Sequence, residues 1–70
     1  MTGTVSVNVN GEQRDVLAGT TVAELVKSVT GQDRGIAVAV NGEVMPRREW
    51  PGIALGDRDQ VEVVTAVQGG

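Results

Sequence analysis

Asn-Gly occurs twice in this chain of 70 residues, at 10–11 and at 41–42, and each copy is flanked by short valine-rich runs. Both residues of such a pair accept positive φ, which is what the tight turn of a β-hairpin requires. Ahead of the first pair, Val5, Val7 and Val9 alternate with Thr4, Ser6, Asn8 and Asn10, the period of a strand with one buried face. A second short strand is predicted from about Gln13 to Leu17. A two-residue loop sets Val7 opposite Arg14, a poor partner on a buried face, and a longer loop avoids the clash. The register of this hairpin therefore stays open. At the second pair a two-residue turn sets Val38 against Met45 and Ala39 against Val44, and Pro46 ends the return strand by withholding a ladder donor.

Between the hairpins lies one helix. Ala18-Gly19-Thr20 turns into it, and Thr21-Val22-Ala23-Glu24 has the form of a capping box. Val22, Leu25, Val26 and Val29 make a single apolar stripe with Lys27 off it, and Thr30-Gly31 supplies the stop. Ile36 to Val40 is apolar on both faces but small on one, which predicts an interior strand packed closely on both sides. Arg47 to Gly52 reads as a connector with one helical turn, with Trp50, Ile53 and Leu55 tucked under the open end of the core. Gly56-Asp57-Arg58-Asp59 is a turn. The last strand, Gln60 to Thr65, puts Val61, Val63 and Thr65 on one face and Glu62, Val64 and Ala66 on the other.

This order predicts an α+β fold of the β-grasp (ubiquitin-like) plan. It has a mixed four- to five-stranded sheet, one main helix packed across it, and the final strand sent to the middle by a long crossover. Residues 1–64 form the domain, and 65–70 a flexible tail.

Composition narrows the chemistry. The chain has no Cys, no His, no Phe and no Tyr, so no disulfide staples it and a zinc site has no soft or imidazole ligands. Ser6 and Ser28 have no activating base, which argues against a self-sufficient enzyme. A net charge of −3 with a single Trp argues against a nucleic-acid binder. No cationic segment leads into an apolar run at Met1 to Val9, and no apolar stretch approaches the ~20 residues of a membrane span. A cytoplasmic protein, monomeric when free, is expected.

The last six residues, Thr65-Ala66-Val67-Gln68-Gly69-Gly70, lose all bulk and stop at two glycines with a free carboxylate. Glycine loses the most backbone entropy on ordering, so a mobile end is expected, and it fits a channel too narrow for any Cβ. Six extended residues reach about 20 Å, enough to thread an active site while the body docks outside.

Asn41-Gly42-Glu43-Val44-Met45-Pro46-Arg47, Trp50, Gly56-Asp57 and Val61 through Gly70 together resemble the thiamine-biosynthesis sulfur carrier family, ThiS, over essentially the whole chain. Gly-Gly alone is weak, being shared with ubiquitin and the molybdopterin synthase small subunit; the Pro-Arg…Trp segment with Thr-Ala-Val-Gln-Gly-Gly is more specific. One departure is Gly56-Asp57-Arg58-Asp59-Gln60, where the family more often runs Asp-Gly-Asp into the strand. The resemblance implies a carrier, not a catalyst. Gly70 is the acyl group that is adenylated, converted to a thiocarboxylate and relieved of its sulfur by thiazole synthase, while Gly69, Gln68, Val67 and Ala66 form the tail that delivers it. The implied partners are a ThiF-like adenylating enzyme, thiazole synthase and a cysteine desulfurase as sulfur source; ATP is used by the activating partner, and the chain itself holds no cofactor or metal. The alternatives are a molybdopterin synthase small subunit and a ubiquitin-like modifier.

Three further features carry expectations. Val64 and Ala66 face away from the core strip and predict an apolar docking patch beside the tail. Arg47 and Arg48 stand equally as a docking patch and as solvated loop residues. Asp57 and Asp59 read as a solvated turn rather than a cation site, and Trp50 as a core plug rather than an interface anchor.

Overall fold

The computed structural model describes residues 3–31 and 35–65. Strands β1 (Thr4–Val9) and β2 (Glu12–Leu17) form the first hairpin, and helix α1 (Val22–Thr30) follows. Strands β3 (Ile36–Val40) and β4 (Glu43–Met45) form the second hairpin, a 3₁₀ segment spans Arg47–Gly52, and β5 (Gln60–Thr65) completes a five-stranded sheet in the order β2-β1-β5-β3-β4. β5 lies in the middle, parallel to β1 and antiparallel to β3. This is the β-grasp arrangement. β5 includes Thr65, the first residue of the expected tail, and Ala66 to Gly70 lie outside the described residues.

The local signals act as their chemistry dictates. Asn10 and Asn41 both have φ of 52°, followed by Gly11 at 87° and Gly42 at 84°, so both hairpins close on two-residue turns. The first hairpin therefore takes the tight register, with Val7 opposite Arg14 and Val9 opposite Glu12. The mismatch is tolerated because β2 is an edge strand. Of its helix-side residues only Val16 packs against the core, while Glu12 and Arg14 stay in solvent. At α1, Glu24 N–H donates to Thr21 Oγ1 at 3.2 Å and Thr21 N–H donates to Glu24 Oε1 at 3.0 Å, the reciprocal bonds of a capping box. Gly31, with φ of 73°, ends the helix and donates its N–H to the Lys27 carbonyl.

One layer of aliphatic side chains joins helix to sheet: Val22, Leu25 and Val26 meet Val7 and Val9 of β1, Val38 and Val40 of β3, and Val61 and Val63 of β5. Trp50 and Leu55 close the end of this layer, and the Trp50 indole N–H donates to the Met45 carbonyl at 2.9 Å, so the ring is a core plug with its one polar atom satisfied. Among the described residues no polar or charged side chain is buried.

β3 departs from expectation. Val38 and Val40 are buried, but Ala37 is exposed and Ala39 only half-buried, so one face of this strand is left uncovered by the described residues. Among the described residues no second layer covers the opposite face of the sheet, so the expected close packing on both sides of β3 is not found there.

The turn before β5 is bound into the sheet. Ser6 N–H donates to Asp57 Oδ1, Arg58 N–H donates to the Ser6 carbonyl, and Asn8 N–H donates to the Asp59 carbonyl. Asp59 accepts from Gly56 N–H at 2.7 Å and from Asn41 Nδ2 at 3.1 Å, so these carboxylates brace the turn instead of merely facing water. Arg58, at the departure noted above, holds φ of 68°, a left-handed conformation costly for a residue with a Cβ. Replacing Arg58 with Gly removes that strain and is expected to stabilise the fold by roughly 0.5–1 kcal/mol in urea unfolding.

Candidate functional site

The sheet has two unlike faces because strand side chains alternate. Of the odd-numbered positions of β5, Val61 and Val63 enter the core while Thr65, beyond the core, is exposed; Glu62 and Val64 stand on the uncovered face. Register extends that face into a patch. Val64 pairs with Ala37, and Ala39 pairs with both Glu62 and Val44. Directly opposed side chains lie about 5 Å apart, so Val64, Ala37, Ala39 and Val44 form one continuous apolar strip across β5, β3 and β4, with Glu62 beside it. Val64 is 56% exposed and Val44 72%. The third exposed large apolar residue, Leu17, pairs with Thr4 at the far corner of the sheet and is separate from the strip.

Ala37, Ala39 and Val44 are absent from the patch expected from the sequence, although for Val44 the signal was present: a two-residue turn at Asn41-Gly42 puts it beside Ala39, on the face opposite Val38. Arg47 and Arg48 do not join it. They are exposed, and the 3₁₀ segment that carries them packs against α1, on the other side of the sheet from Val64. Ala66, Val67, Gln68, Gly69 and Gly70 lie outside the described residues; their attachment point, Thr65, is held in the ladder opposite Ile36.

Apart from Leu17 at its corner, the rest of the uncovered face is polar. A shallow groove of about 460 Å³ runs between Ser6, Asn8, Gln13, Asp57, Arg58 and Gln60. Its hydroxyl has no base: Ser6 Oγ accepts from Gln13 Nε2 at 2.7 Å. Ser28 Oγ donates to the Leu25 carbonyl, and neither serine is set up as a nucleophile. Among the described residues no three acidic side chains converge as a metal site. No described helix is long and apolar enough to cross a membrane. What the arrangement offers is an exposed apolar strip on the strand that leads toward the C-terminus.

A ubiquitin-like β-grasp body ending in Gly-Gly defines the class. The family model of the ThiS family matches residues 7–70. Sulfur carrier protein ThiS of Thermus thermophilus is 41% identical over 61 residues, which cover 87% of this chain and 94% of that protein. A thiazole synthase of Paramagnetospirillum magneticum is 34% identical over 62 residues, 89% of this chain, which spans 19% of that longer protein. The crystal structure of the thiamine biosynthesis protein ThiS from Geobacter metallireducens superposes with a TM-score of 0.79 at 29% identity, covering 94% of this chain and all of that one. The chain belongs to the ThiS family.

The two faces of β5 give a direct test. Val64→Asp is expected to cost no more than about 1 kcal/mol in urea unfolding, because the side chain is already in water. Val63→Asp, one residue away at 8% exposure, is expected to abolish cooperative folding, because it buries a charge with no partner.

Proposed function

We propose that this chain is the sulfur carrier of thiazole formation in thiamine biosynthesis, and that Gly70 is the group that carries the sulfur. The observation that carries the reading is the conjunction of a ThiS-family match running through to residue 70 with an apolar docking strip on the strand that leads to that terminus. A carboxylate is ionised at neutral pH and is a poor electrophile. Attack of a Gly70 oxygen on the α-phosphorus of ATP releases pyrophosphate and leaves an acyl-adenylate, whose AMP is a good leaving group. The terminal sulfur of a persulfide then displaces AMP, and a second thiol cleaves the resulting acyl disulfide, releasing the thiocarboxylate and leaving a disulfide behind. The acceptor enzyme moves the sulfur onto its substrate, an oxygen from that substrate or from water takes its place on the acyl carbon, and the carboxylate returns.

The chain supplies the acyl group and its delivery; the partners supply catalysis. A ThiF-like enzyme performs the adenylation with ATP, and a cysteine desulfurase supplies the sulfur. Thiazole synthase is the acceptor. The match to part of a longer thiazole synthase supports this last assignment, since carrier and acceptor joined in one polypeptide meet at high effective concentration. Val64, Ala37, Ala39 and Val44 form the face that docks on the adenylating enzyme. Arg47 and Arg48, on the helix side, have a lesser claim to that contact.

Intact mass after incubation with ATP, a cysteine-derived sulfur source and the cognate adenylating enzyme tests the reading. Replacement of one oxygen by sulfur is expected in the wild type and is expected to vanish when Gly70 is deleted. Val44→Asp and Val64→Asp are expected to raise the carrier concentration needed for half-maximal loading by roughly tenfold each, as for apolar contacts at an interface. High-mass conjugates in place of the sulfur shift would instead identify a protein modifier.

A further inference from the structure

On its β1 side, β5 outruns its partner. β1 pairs with β5 at Asn8↔Gln60 and Val9↔Val61, and the Asn10 backbone N–H reaches the Val61 carbonyl at 3.0 Å before the chain turns away. Bonding groups of a strand alternate between its two edges, so Val63 is the next residue to present N–H and C=O toward the space that β1 has left. The Asn10 side chain fills it. Val63 N–H donates to Asn10 Oδ1 at 2.8 Å, and Asn10 Nδ2 donates to the Val63 carbonyl at 3.0 Å. One planar carboxamide thus presents an acceptor and a donor to a single residue, as a peptide group would. Asn41 has the same φ of 52°, but its side chain accepts from Gln60 N–H, at the opposite edge and the start of β5. The two hairpin turns therefore grip the same strand from opposite sides, and only Asn10 grips it near its exit.

We propose that Asn10 is a positioning residue for the C-terminal tail: its carboxamide prolongs the sheet beyond the end of β1, so that β5 is held on both edges as far as Val63. This rests on the carrier reading only in giving the tail a reaction to perform. Without the clamp, β5 beyond Val61 is held by β3 alone, and Thr65, from which the tail departs, frays more often from Ile36. Slack of about 3 Å spreads the carboxylate over a larger volume and weakens the orientation that a docked body gives it. The predicted loss therefore falls on turnover, not on docking, because Val64 and Val44 keep their place.

Asn10→Gly separates the clamp from the turn, since glycine keeps positive φ at no steric cost. Amide hydrogen exchange in the free protein and the kinetics of sulfur loading by intact mass are the two readouts. In N10G, exchange at Val63 is expected to quicken about tenfold while that at Leu25 stays within about twofold. The kcat of loading is expected to fall about tenfold with KM for the carrier changed by less than about twofold. Thr21→Ala, which removes the helix cap far from the tail, is expected to leave that kcat unchanged. Unchanged Val63 exchange, or unchanged kcat in N10G, or an equal fall in T21A, overturns the proposal. Should N10G not fold, Asn10→Asp retains the turn and the acceptor for Val63 N–H but deletes the donor to the Val63 carbonyl, and the fall in the kcat of loading at unchanged KM is then the readout. If the wild type takes no sulfur at all, the carrier reading falls, and the exchange measurement still decides whether Asn10 holds the strand.

Discussion

The structure depends on β5 being central. Val61 and Val63 bury one face of it in the same core cluster as Leu25 and Val26, its edges are held by β3 and β1, and both hairpin turns reach across to bond it. A chain of this size buries only about 60% of the surface its unfolded form exposes, and without disulfides the fold rests on that layer. Placing the C-terminal strand in the middle also means that the terminus leaves from the best-anchored part of the molecule. A carrier needs such an attachment point, because the body must dock rigidly while its end reaches elsewhere.

The helix makes the two faces of the sheet unequal, and function follows from the inequality. On the covered side, period-two valines meet a helix stripe of the same chemistry. On the other side β1 and β2 are polar apart from Leu17, whereas β5, β3 and β4 contribute Val64, Ala37, Ala39 and Val44. The alanines keep the strip flat, and the valines flank it. In the proposed function, its continuity with the strand that leads to Gly70 ties docking to delivery.

Much of this was legible in the residues. Asn-Gly pairs, the Thr21–Glu24 box and the Val22–Val29 stripe are local signals, and each forms as its chemistry requires. The family resemblance was also readable, from the Pro46-Arg47…Trp50 segment and the final residues, and the match over residues 7–70 bears it out. What was not legible depends on long-range partners. Val7 opposite Arg14 looked unfavourable because nothing local says that β2 is an edge whose helix face is largely bare. Ala37 looked buried because an apolar residue in an apolar run gives no hint of a missing second layer. Asn10 read as a turn residue, and its bonds to Val63, 53 positions away, follow only from the fold.

The central claim is that the carboxylate of Gly70 is the reactive group and that the folded body exists to present it. ATP–pyrophosphate exchange catalysed by the cognate adenylating enzyme measures the first chemical step without any sulfur. The account predicts exchange that requires this chain, saturates with it and disappears when Gly70 is removed. Exchange that persists without Gly70, or none with the intact chain while the enzyme is active on another carrier, would contradict it.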